Sequence, residues 1–515
     1  MVYIKNPVVI SASDVGPTTS GITITNYDTT DGVITGTNFG TTAGKVWLLN
    51  RDTHSYIQQP VTTWSDTMIV LTNPIDTSTI EGTTCFYVEK STGENSHQFL
   101  VTGAVTILSC GKVYIKNGDG TISKLNVADS SEFNQLIGTT SGYATQVTLD
   151  NVNFNTGQIV GIQFGTAISS WTIPTNFLAG CLSLNQPIVF EYGVNIATTS
   201  TYFMYNCKSF NSLIVFPNTT NNRISGYFMN YCYSFNQPLD LTNIRYMNGA
   251  YFLRYCRSFN QKITFPTSLN TSYRTFGTYF MQYCGAFNQE IILPSNQTGV
   301  GTNFMNYCTS FNSKITFPST FTTTGTSFLR YCDGYNRPID ISGTSISSTG
   351  QYFLADCHAF NSPVKLRSSN MTLGNYFLYN CSAFNQPIDL SKVTNTGTYF
   401  LSGCVAFDSP ITMPSTAITI GNYFLYGCHS FSQTITLSST ITSIGSYFMS
   451  NCYQARKIVA NCSVTPATTS LTSDVSLCSA YMTGIYIYGT QRTTWLTNLP
   501  NTTATPFRNL VNGGS

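Results

Sequence analysis

Sixteen cysteines give this chain of 515 residues its main capacity for chemistry, because thiols can form disulfides, bind metals or act as nucleophiles. Most of them recur about every 25 residues, a period typical of stacked repeats. No CxxC pair accompanies them and the four histidines are scattered, so no metal centre is predicted. We assign to one structural ladder Cys207, Cys232, Cys256, Cys284, Cys308, Cys332, Cys357, Cys381, Cys404 and Cys428. Three cysteines outside this register receive no role: Cys85, Cys110 and Cys462.

Carboxylates are the second group that could carry chemistry. Asp240, Asp340 and Asp389 recur in similar strand-like runs, and paired carboxylates can hydrolyse glycosides. Other repeats have Thr, Ile or Lys at this position, which favours a solvent-facing strand position. The sequence contains no GxSxG, P-loop, HExxH or dinucleotide-binding motif. We therefore predict a chain that is not an enzyme and has no cofactor, with a glycan depolymerase as a lesser alternative.

Each repeat carries a fixed set of residues around its cysteine. Phe lies four residues before the cysteine, Leu or Met three before it, and an aromatic residue usually three after it, as in YFLYNCSAF at 376–384. These offsets lie on one face of a helix, so each repeat should begin with a short amphipathic helix. A run such as KITFP at 262–266 then predicts a strand that ends at a proline. One coil should therefore be helix, asparagine corner, strand and loop.

Stacking of the coils follows from their size. A unit of about 25 residues cannot bury its apolar face alone, so neighbouring coils must cover one another. Their strands should pair in parallel at about 4.8 Å. The cysteines then become a buried column whose side chains point the same way, which favours free thiols over disulfides.

An asparagine follows the second aromatic residue in most repeats. Its amide could satisfy backbone groups where the chain turns, or it could line a carbohydrate groove. We favour the structural role, because a ligand would not require the same residue in every coil. The asparagines assigned to the ladder are Asn236, Asn260, Asn288, Asn312, Asn336, Asn361 and Asn385.

Tyrosines next to the cysteines fall outside the buried face of the predicted helix. Tyrosine is frequent among residues that anchor binding partners, so these side chains could form an exposed binding stripe. They could equally cover the backbone beneath them. The stripe comprises Tyr231, Tyr255, Tyr283, Tyr307 and Tyr331.

The strings SFNQPLDL at 234–241 and ITLSSTITSIGSYFMSNC at 435–452 make the repeats similar to a known family. They resemble BspA-like leucine-rich repeats and the related repeats of bacterial surface proteins. The resemblance covers roughly 175–455 and implies a leucine-rich-repeat-like solenoid of about 12 coils over 176–455. Degenerate repeats and a C-terminal cap should occupy 456–515. The family serves adhesion, binding and virion roles.

A different module precedes the repeats. DGVITGTNFGTTAGKVWLLN at 31–50, followed by VTTWSDTMIVLTNP at 61–74, resembles the IPT/TIG immunoglobulin-like domain. The resemblance implies a β-sandwich over 20–103 that acts as a spacer or interaction module. An N-terminal arm should cover 1–19, and a β-rich connector and N-terminal cap should cover 104–175. The predicted fold is therefore mainly β with short helices.

Composition limits the function. Charged residues make up 9% of the chain and the net charge is +2, so nucleic-acid binding has no electrostatic support. No apolar run is long enough for membrane insertion or for a signal-peptide core. The composition is typical of an extracellular protein although no export signal is present. Proteins that leave a cell by lysis, such as phage virion components, would reconcile these two observations, as would a truncated form of a secreted protein. We predict a non-enzymatic bacteriophage virion protein from the tail, a fibre or the capsid surface. It would contact other virion proteins through its N-terminal region and a host cell-surface protein or glycan through the solenoid, and it could be a homo-oligomer. The alternative is a cell-surface, extracellular adhesin of a bacterium or protist.

Overall fold

The computed structural model describes residues 22–168, 171–190, 194–195, 201–217, 222–455, 457–462, 464, 484–487 and 511–513. The chain divides into two compact units, 1–270 and 271–515. The predicted arm at 1–19 and most of the C-terminal cap lie outside the described residues.

The first unit begins with a sandwich of two antiparallel sheets, ordered β1-β2-β6-β5 and β4-β3-β7-β8. Both sheets contribute alternate apolar residues to one core, among them Ile24, Ile34, Val46 and Phe86. The predicted antiparallel β region is therefore present. Its strands are β1 (Thr23–Asp28), β2 (Val33–Thr37), β3 (Lys45–Asn50), β4 (Ser55–Gln59), β5 (Val61–Trp64), β6 (Met68–Leu71), β7 (Thr83–Glu89) and β8 (Phe99–Thr102).

A second antiparallel segment connects the sandwich to the repeats. It forms a three-stranded sheet, β10-β9-β13, and a hairpin, β11-β12. Every residue of the last strand is buried, since the repeats follow directly. The strands are β9 (Gly111–Lys116), β10 (Ile122–Val127), β11 (Gln146–Leu149), β12 (Val152–Asn155) and β13 (Ile159–Phe164). The helices of the described residues are single 3₁₀ segments at Thr77–Thr79, Ser130–Gln135 and Thr156–Gln158.

Parallel strand pairs then form the first coils of the solenoid. The pairs within the first unit are β14-β16, β15-β17, β18-β20 and β19-β21. These strands are β14 (Trp171–Thr172), β15 (Ile188–Val189), β16 (Val194–Asn195), β17 (Ile214–Val215), β18 (Asn222–Arg223), β19 (Leu239–Asp240), β20 (Ile244–Tyr246) and β21 (Ile263–Thr264).

The second unit repeats this parallel arrangement. Its longer sheets are β28-β30-β32-β34 and β33-β35-β36-β37, and its pairs are β22-β24, β23-β25, β26-β27 and β29-β31. The solenoid of parallel strands confirms the predicted fold class. The strands are β22 (Thr275–Phe276), β23 (Ile291–Ile292), β24 (Gly299–Val300), β25 (Ile315–Thr316), β26 (Ile339–Asp340), β27 (Val364–Lys365), β28 (Met371–Thr372), β29 (Ile388–Asp389), β30 (Val393–Asn395), β31 (Ile411–Thr412), β32 (Ile418–Ile420), β33 (Ile435–Leu437), β34 (Ile441–Ile444), β35 (Lys457–Ala460), β36 (Gly484–Ile487) and β37 (Val511–Gly513).

The short amphipathic helix predicted at the start of each coil is wrong. The segment is a series of turns in which every second residue has a positive φ, as at Tyr376 (62°), Leu378 (53°) and Asn380 (56°). The alternation directs successive peptide groups towards the coils on either side. Tyr376 and Asn380 donate their N–H groups to the following coil, and Leu378 donates to the preceding one. The predicted buried residues still face inward, because alternating conformations also place Phe377 and Cys381 in the core.

A column of glycines marks the place where coils of the second unit approach most closely. A Cβ atom added to Gly350 would lie 1.5 Å from the carbonyl oxygen of Gly325, and one added to Gly421 would lie 1.8 Å from that of Gly397. Neither Gly350 nor Gly421 has a positive φ. These glycines are therefore required by the close contact between backbones.

Candidate binding surfaces and the ladders that build them

The predicted cysteine ladder is buried throughout, and its thiols are free. The thiol of one coil donates a hydrogen bond to the carbonyl oxygen of the Leu or Met in the preceding coil, as Cys381 does to Leu354 at 3.0 Å. Burial raises the pKa of Cys308 and of Cys404 to about 12, so both remain protonated at neutral pH. The column therefore has a structural role: it satisfies one buried carbonyl per coil. The off-register Cys85, Cys110 and Cys462 are also buried and free.

The predicted asparagine ladder satisfies backbone groups at the corner of each coil. In the first unit, the Oδ1 atom of Asn211 accepts a hydrogen bond from the N–H of Asn236 at 2.8 Å, and Asn236 accepts from Asn260. In the second unit, the same bond joins each of these residues to the next: Asn288, Asn312, Asn336, Asn361, Asn385, Asp408 and Ser432. Asn185 and Asn211 occupy the same sequence position and make the same bond.

The predicted tyrosine stripe forms stacked columns that are half-buried. Tyr231 and Tyr255 stack in the first unit with ring centroids 4.7 Å apart. In the second unit Tyr283, Tyr307 and Tyr331 stack at 4.7 and 4.4 Å. These spacings follow the separation of parallel strands. Each ring is therefore packed against the ring of a neighbouring coil and remains partly accessible to solvent.

A second tyrosine column, which sequence reasoning missed, runs beside the first. Its members stand five residues before the cysteines, and their ring centroids lie 4.2 to 4.6 Å apart. The guanidinium of Arg330 joins the two columns, at 4.1 Å from the Tyr352 ring centroid and 4.6 Å from that of Tyr331, and donates to Asp356 at 2.9 Å. The second column comprises Tyr202, Tyr227 and Tyr251 in the first unit and Tyr352, Tyr376, Tyr399, Tyr423 and Tyr447 in the second.

The recurring aspartates are exposed and end their strands. Asp240, Asp340 and Asp389 each accept a hydrogen bond from the N–H two residues later, which starts a turn. Lys365 lies 3.4 Å from Asp340. This local role agrees with the predicted solvent-facing position.

Among the described residues, no group of three or more His, Cys, Asp or Glu could hold a metal ion. No helix in the described part of the chain has the length and apolar character needed to cross a bilayer.

Polar side chains dock the sandwich on the first coils within the first unit. Arg51, only 7% exposed, donates to the carbonyl oxygens of Thr83 at 2.6 Å and Pro187 at 3.0 Å and to the side chain of Gln186. Burial lowers the pKa of this guanidinium. Gln98 makes a second bridge, accepting from the N–H of Leu213 at 3.2 Å. These bonds fix the sandwich against the coils.

A cleft of about 450 Å³ lies beside this bridge. On one side are Tyr56 and Tyr87, whose rings meet edge to face with centroids 5.0 Å apart. On the other side are the asparagine ladder and the glutamines that follow it. The cleft depends on a contact between distant parts of the sequence, so the repeat pattern gave no signal for it.

Comparisons with known proteins agree with the architecture of the repeats. Residues 274–408 and 406–483 match the family described as BspA type Leucine rich repeat region, and residues 174–296 match the family described as Mycoplasma protein of unknown function, DUF285. The predicted resemblance to BspA-type repeats is therefore confirmed for this region. The immunoglobulin-like resemblance of residues 20–103 stays a prediction.

Solved structures were also compared with the chain, and the matches include one bacterial protein. It is a leucine-rich repeat protein from Bacteroides ovatus, at 15% identity and a TM-score of 0.49, and the match covers 79% of this chain and 99% of that one. No curated protein sequence matches the chain.

Proposed function

We propose that the protein is a non-enzymatic, repeat-based adhesion protein that is displayed at a cell surface and binds a macromolecular partner through its tyrosine columns. The match of the repeats to BspA-type leucine-rich repeats supports a surface role. It supports the cell-surface alternative better than the phage virion, which no comparison supports. The virion partners and the homo-oligomer remain predictions.

One observation carries the proposal: rigid, half-buried tyrosines are arrayed in parallel columns on consecutive coils. Tyr and Arg are enriched among the residues that contribute most to binding, and Arg330 lies between the columns. The stack holds the rings in place before a partner arrives, so little side-chain entropy is lost on binding. No group of three or more His, Cys, Asp or Glu in the described part of the chain could hold a metal ion, and Asp340 accepts a hydrogen bond within a turn.

Substitutions in the second unit test the tyrosine columns. Fluorescently labelled protein is measured by flow cytometry on panels of epithelial and bacterial cells. Tyr307→Ser combined with Tyr331→Ser should weaken the binding about tenfold or more, because both rings leave the half-buried column. Ile292→Ser is the matched control, since it removes another exposed apolar side chain of that unit. Equal binding by the wild type and the double variant would exclude the columns as the contact surface.

Location is tested separately. Antibodies raised against the purified protein should label intact cells of the source organism, and surface proteolysis should remove the signal. Labelling of purified phage particles instead would restore the virion interpretation. Release of reducing ends from envelope glycans by the purified protein would show that it is an enzyme.

A further inference from the structure

We propose that the cleft between the sandwich and the asparagine ladder in the first unit is a binding site for a neutral oligosaccharide. The inference goes beyond the proposed adhesion function, because it names a ligand class for a second surface of the same protein. It does not depend on the tyrosine columns of the second unit. Four properties of the cleft carry it.

The first property is the absence of charge. The described residues that line the cleft are tyrosines, asparagines, glutamines and one serine, so none of them carries a formal charge. A phosphate or carboxylate ligand would lack the cationic partner that such groups require. A metal cation would lack the carboxylates that bind Ca²⁺ or Mg²⁺. The lining therefore favours a ligand that is polar but uncharged.

The second property is the orientation of the ladder amides. The side-chain oxygens of Asn185, Asn211 and Asn236 each accept a hydrogen bond from the backbone N–H of the next coil. A backbone N–H can only donate, so each amide must direct its oxygen to the next coil and keep its NH₂ group for another acceptor. No acceptor for these NH₂ groups lies within hydrogen-bond distance among the described residues. The ladder thus presents a row of donors along the cleft, about 4.8 Å apart.

The third property is the aromatic wall. Gln98, 6% exposed, donates to the hydroxyl of Tyr56 at 2.8 Å and thereby fixes that ring. Tyr87 packs edge to face against it at an interplanar angle of 71°. The negative face of an aromatic ring attracts weakly positive C–H groups, and sugars carry such groups on the faces of their rings. Hydroxyl groups at the rim of the same sugar can accept from the ladder amides.

The fourth property is the size and polarity of the space. A volume of about 450 Å³ lies within the range of small-ligand sites. A peptide would need an open strand edge or apolar side-chain pockets. The wall opposite the tyrosines consists of amides, including Gln237 and Gln261, so it offers no apolar side-chain pockets for a peptide. An oligosaccharide is therefore favoured over a peptide.

The test uses the full-length protein on an array of neutral cello-, malto-, manno-, xylo- and chito-oligosaccharides. Sialyllactose, oligogalacturonate and a random peptide array are the competing probes. We expect at least one neutral series to bind and the charged and peptide probes not to bind. Isothermal titration then gives the affinity for the best neutral probe.

Asn211→Asp is the decisive variant, because it removes the NH₂ donors and keeps the oxygen that the N–H of Asn236 requires. Asp408 already fills this structural role, accepting from the N–H of Ser432 at 2.7 Å. The affinity should fall about threefold to tenfold, as expected for a lost neutral hydrogen bond. Tyr87→Leu, which removes the ring and retains apolar bulk, should lower it about fivefold to tenfold. Asn361→Asp makes the same change on the ladder of the second unit and should leave the affinity unchanged.

Three results would overturn the proposal. The first is a folded protein that binds no neutral probe, and the second is a peptide or charged probe whose binding Asn211→Asp abolishes. The third is an equal loss for Asn361→Asp and Asn211→Asp, which would place binding elsewhere. Loss of cell adhesion in the Tyr307/Tyr331 variant with retained oligosaccharide binding would separate this site from the proposed adhesion surface.

Discussion

Replacement of Gly421 by alanine should sharply destabilise the second unit. The added Cβ would lie 1.8 Å from the carbonyl oxygen of Gly397, so the two coils must move apart. Three bonds flank the contact: Gly421 donates to the Oγ1 of Thr396 at 3.0 Å, Tyr399 donates to Asn422 at 2.8 Å, and Gly445 donates to Ile420 at 2.9 Å. Each contributes about 1 kcal/mol and overpacking costs about 1–3 kcal/mol. We therefore expect the free energy of unfolding to fall by about 4–6 kcal/mol.

Urea unfolding followed by tyrosine fluorescence measures this loss, and hydrogen exchange locates it. Amides of the coils on both sides of Gly421 should lose protection first. Gly343→Ala is the matched control, because nothing lies within 4 Å of its added Cβ and its φ is not positive. That variant should match the wild type or gain up to about 1 kcal/mol by restricting the unfolded chain. If Gly421→Ala unfolds within about 0.5 kcal/mol of the wild type, the coils do not approach as described.

Other substitutions and pH test the remaining polar contacts. Cys381→Ala should lower the free energy of unfolding by about 2–4 kcal/mol, since it leaves a cavity and an unsatisfied carbonyl on Leu354. Cys381→Ser retains a donor and should cost less, as urea unfolding in reducing buffer would show; a larger cost for serine would mean that the sulfur only fills space. Burial raises the pKa of Cys308 from 9.0 to about 12, so the folded chain resists thiolate formation. The contribution of this thiol to the free energy of unfolding is fully present below about pH 9. It is lost as the pH rises towards 12, because the thiol ionises at lower pH in the unfolded chain than in the folded chain. Thermal unfolding temperatures that stay constant over that range would contradict the burial of the thiols. Arg51→Met should cost about 3 kcal/mol, because the buried carbonyl of Pro187 and the side-chain oxygen of Gln186 lose the guanidinium donor, while Gln163 still donates to the carbonyl of Thr83. Limited proteolysis should then cut the sandwich faster than in the wild type, and an unchanged pattern would show that other contacts hold it.

The solenoid could be predicted from the sequence because its determinants repeat. A period of about 25 residues and the residue types at −4, 0 and +3 identify a stacked coil and its buried face. Cys381, Phe377 and Phe384 are each fully buried, as that pattern requires. The asparagine corner followed from the same regularity. The same packing requirement applies to these positions in every coil, so a single sequence shows the residue preference of each position many times.

The local conformation was predicted incorrectly, although a signal existed. The residue before the cysteine is Gly180, Gly403 or Gly427 in some coils and Asn206 or Asn380 in others, and all of these have positive φ. Gly and Asn are the residues that adopt left-handed conformations most readily. Apolar residues at i, i+1, i+4 and i+7 suggested a helix, but an alternating chain places the same side chains inward. The Gly and Asn residues directly before the cysteines would have distinguished a series of turns from a helix.

The cleft could not be predicted, because it depends on a contact that occurs once. Arg51 and Gln186 are 135 residues apart, and neither belongs to a motif. Tyr56 and Tyr87 lie in the sandwich, far in sequence from Asn211, which lines the same space. Periodicity describes how one coil meets the next, and it says nothing about how a separate module meets the side of the array.

The hydrogen bonds between coils have a consequence for how such a chain can change in length. The coils that contain Asn288 to Asn385 offer their neighbours the same donor and acceptor at this corner, so removal of one complete coil leaves the equivalent bonds available to the others. Duplication of a coil adds a full set of hydrogen-bond partners for the same reason. Gain or loss of whole coils therefore lengthens or shortens the exposed surface without a new folding problem.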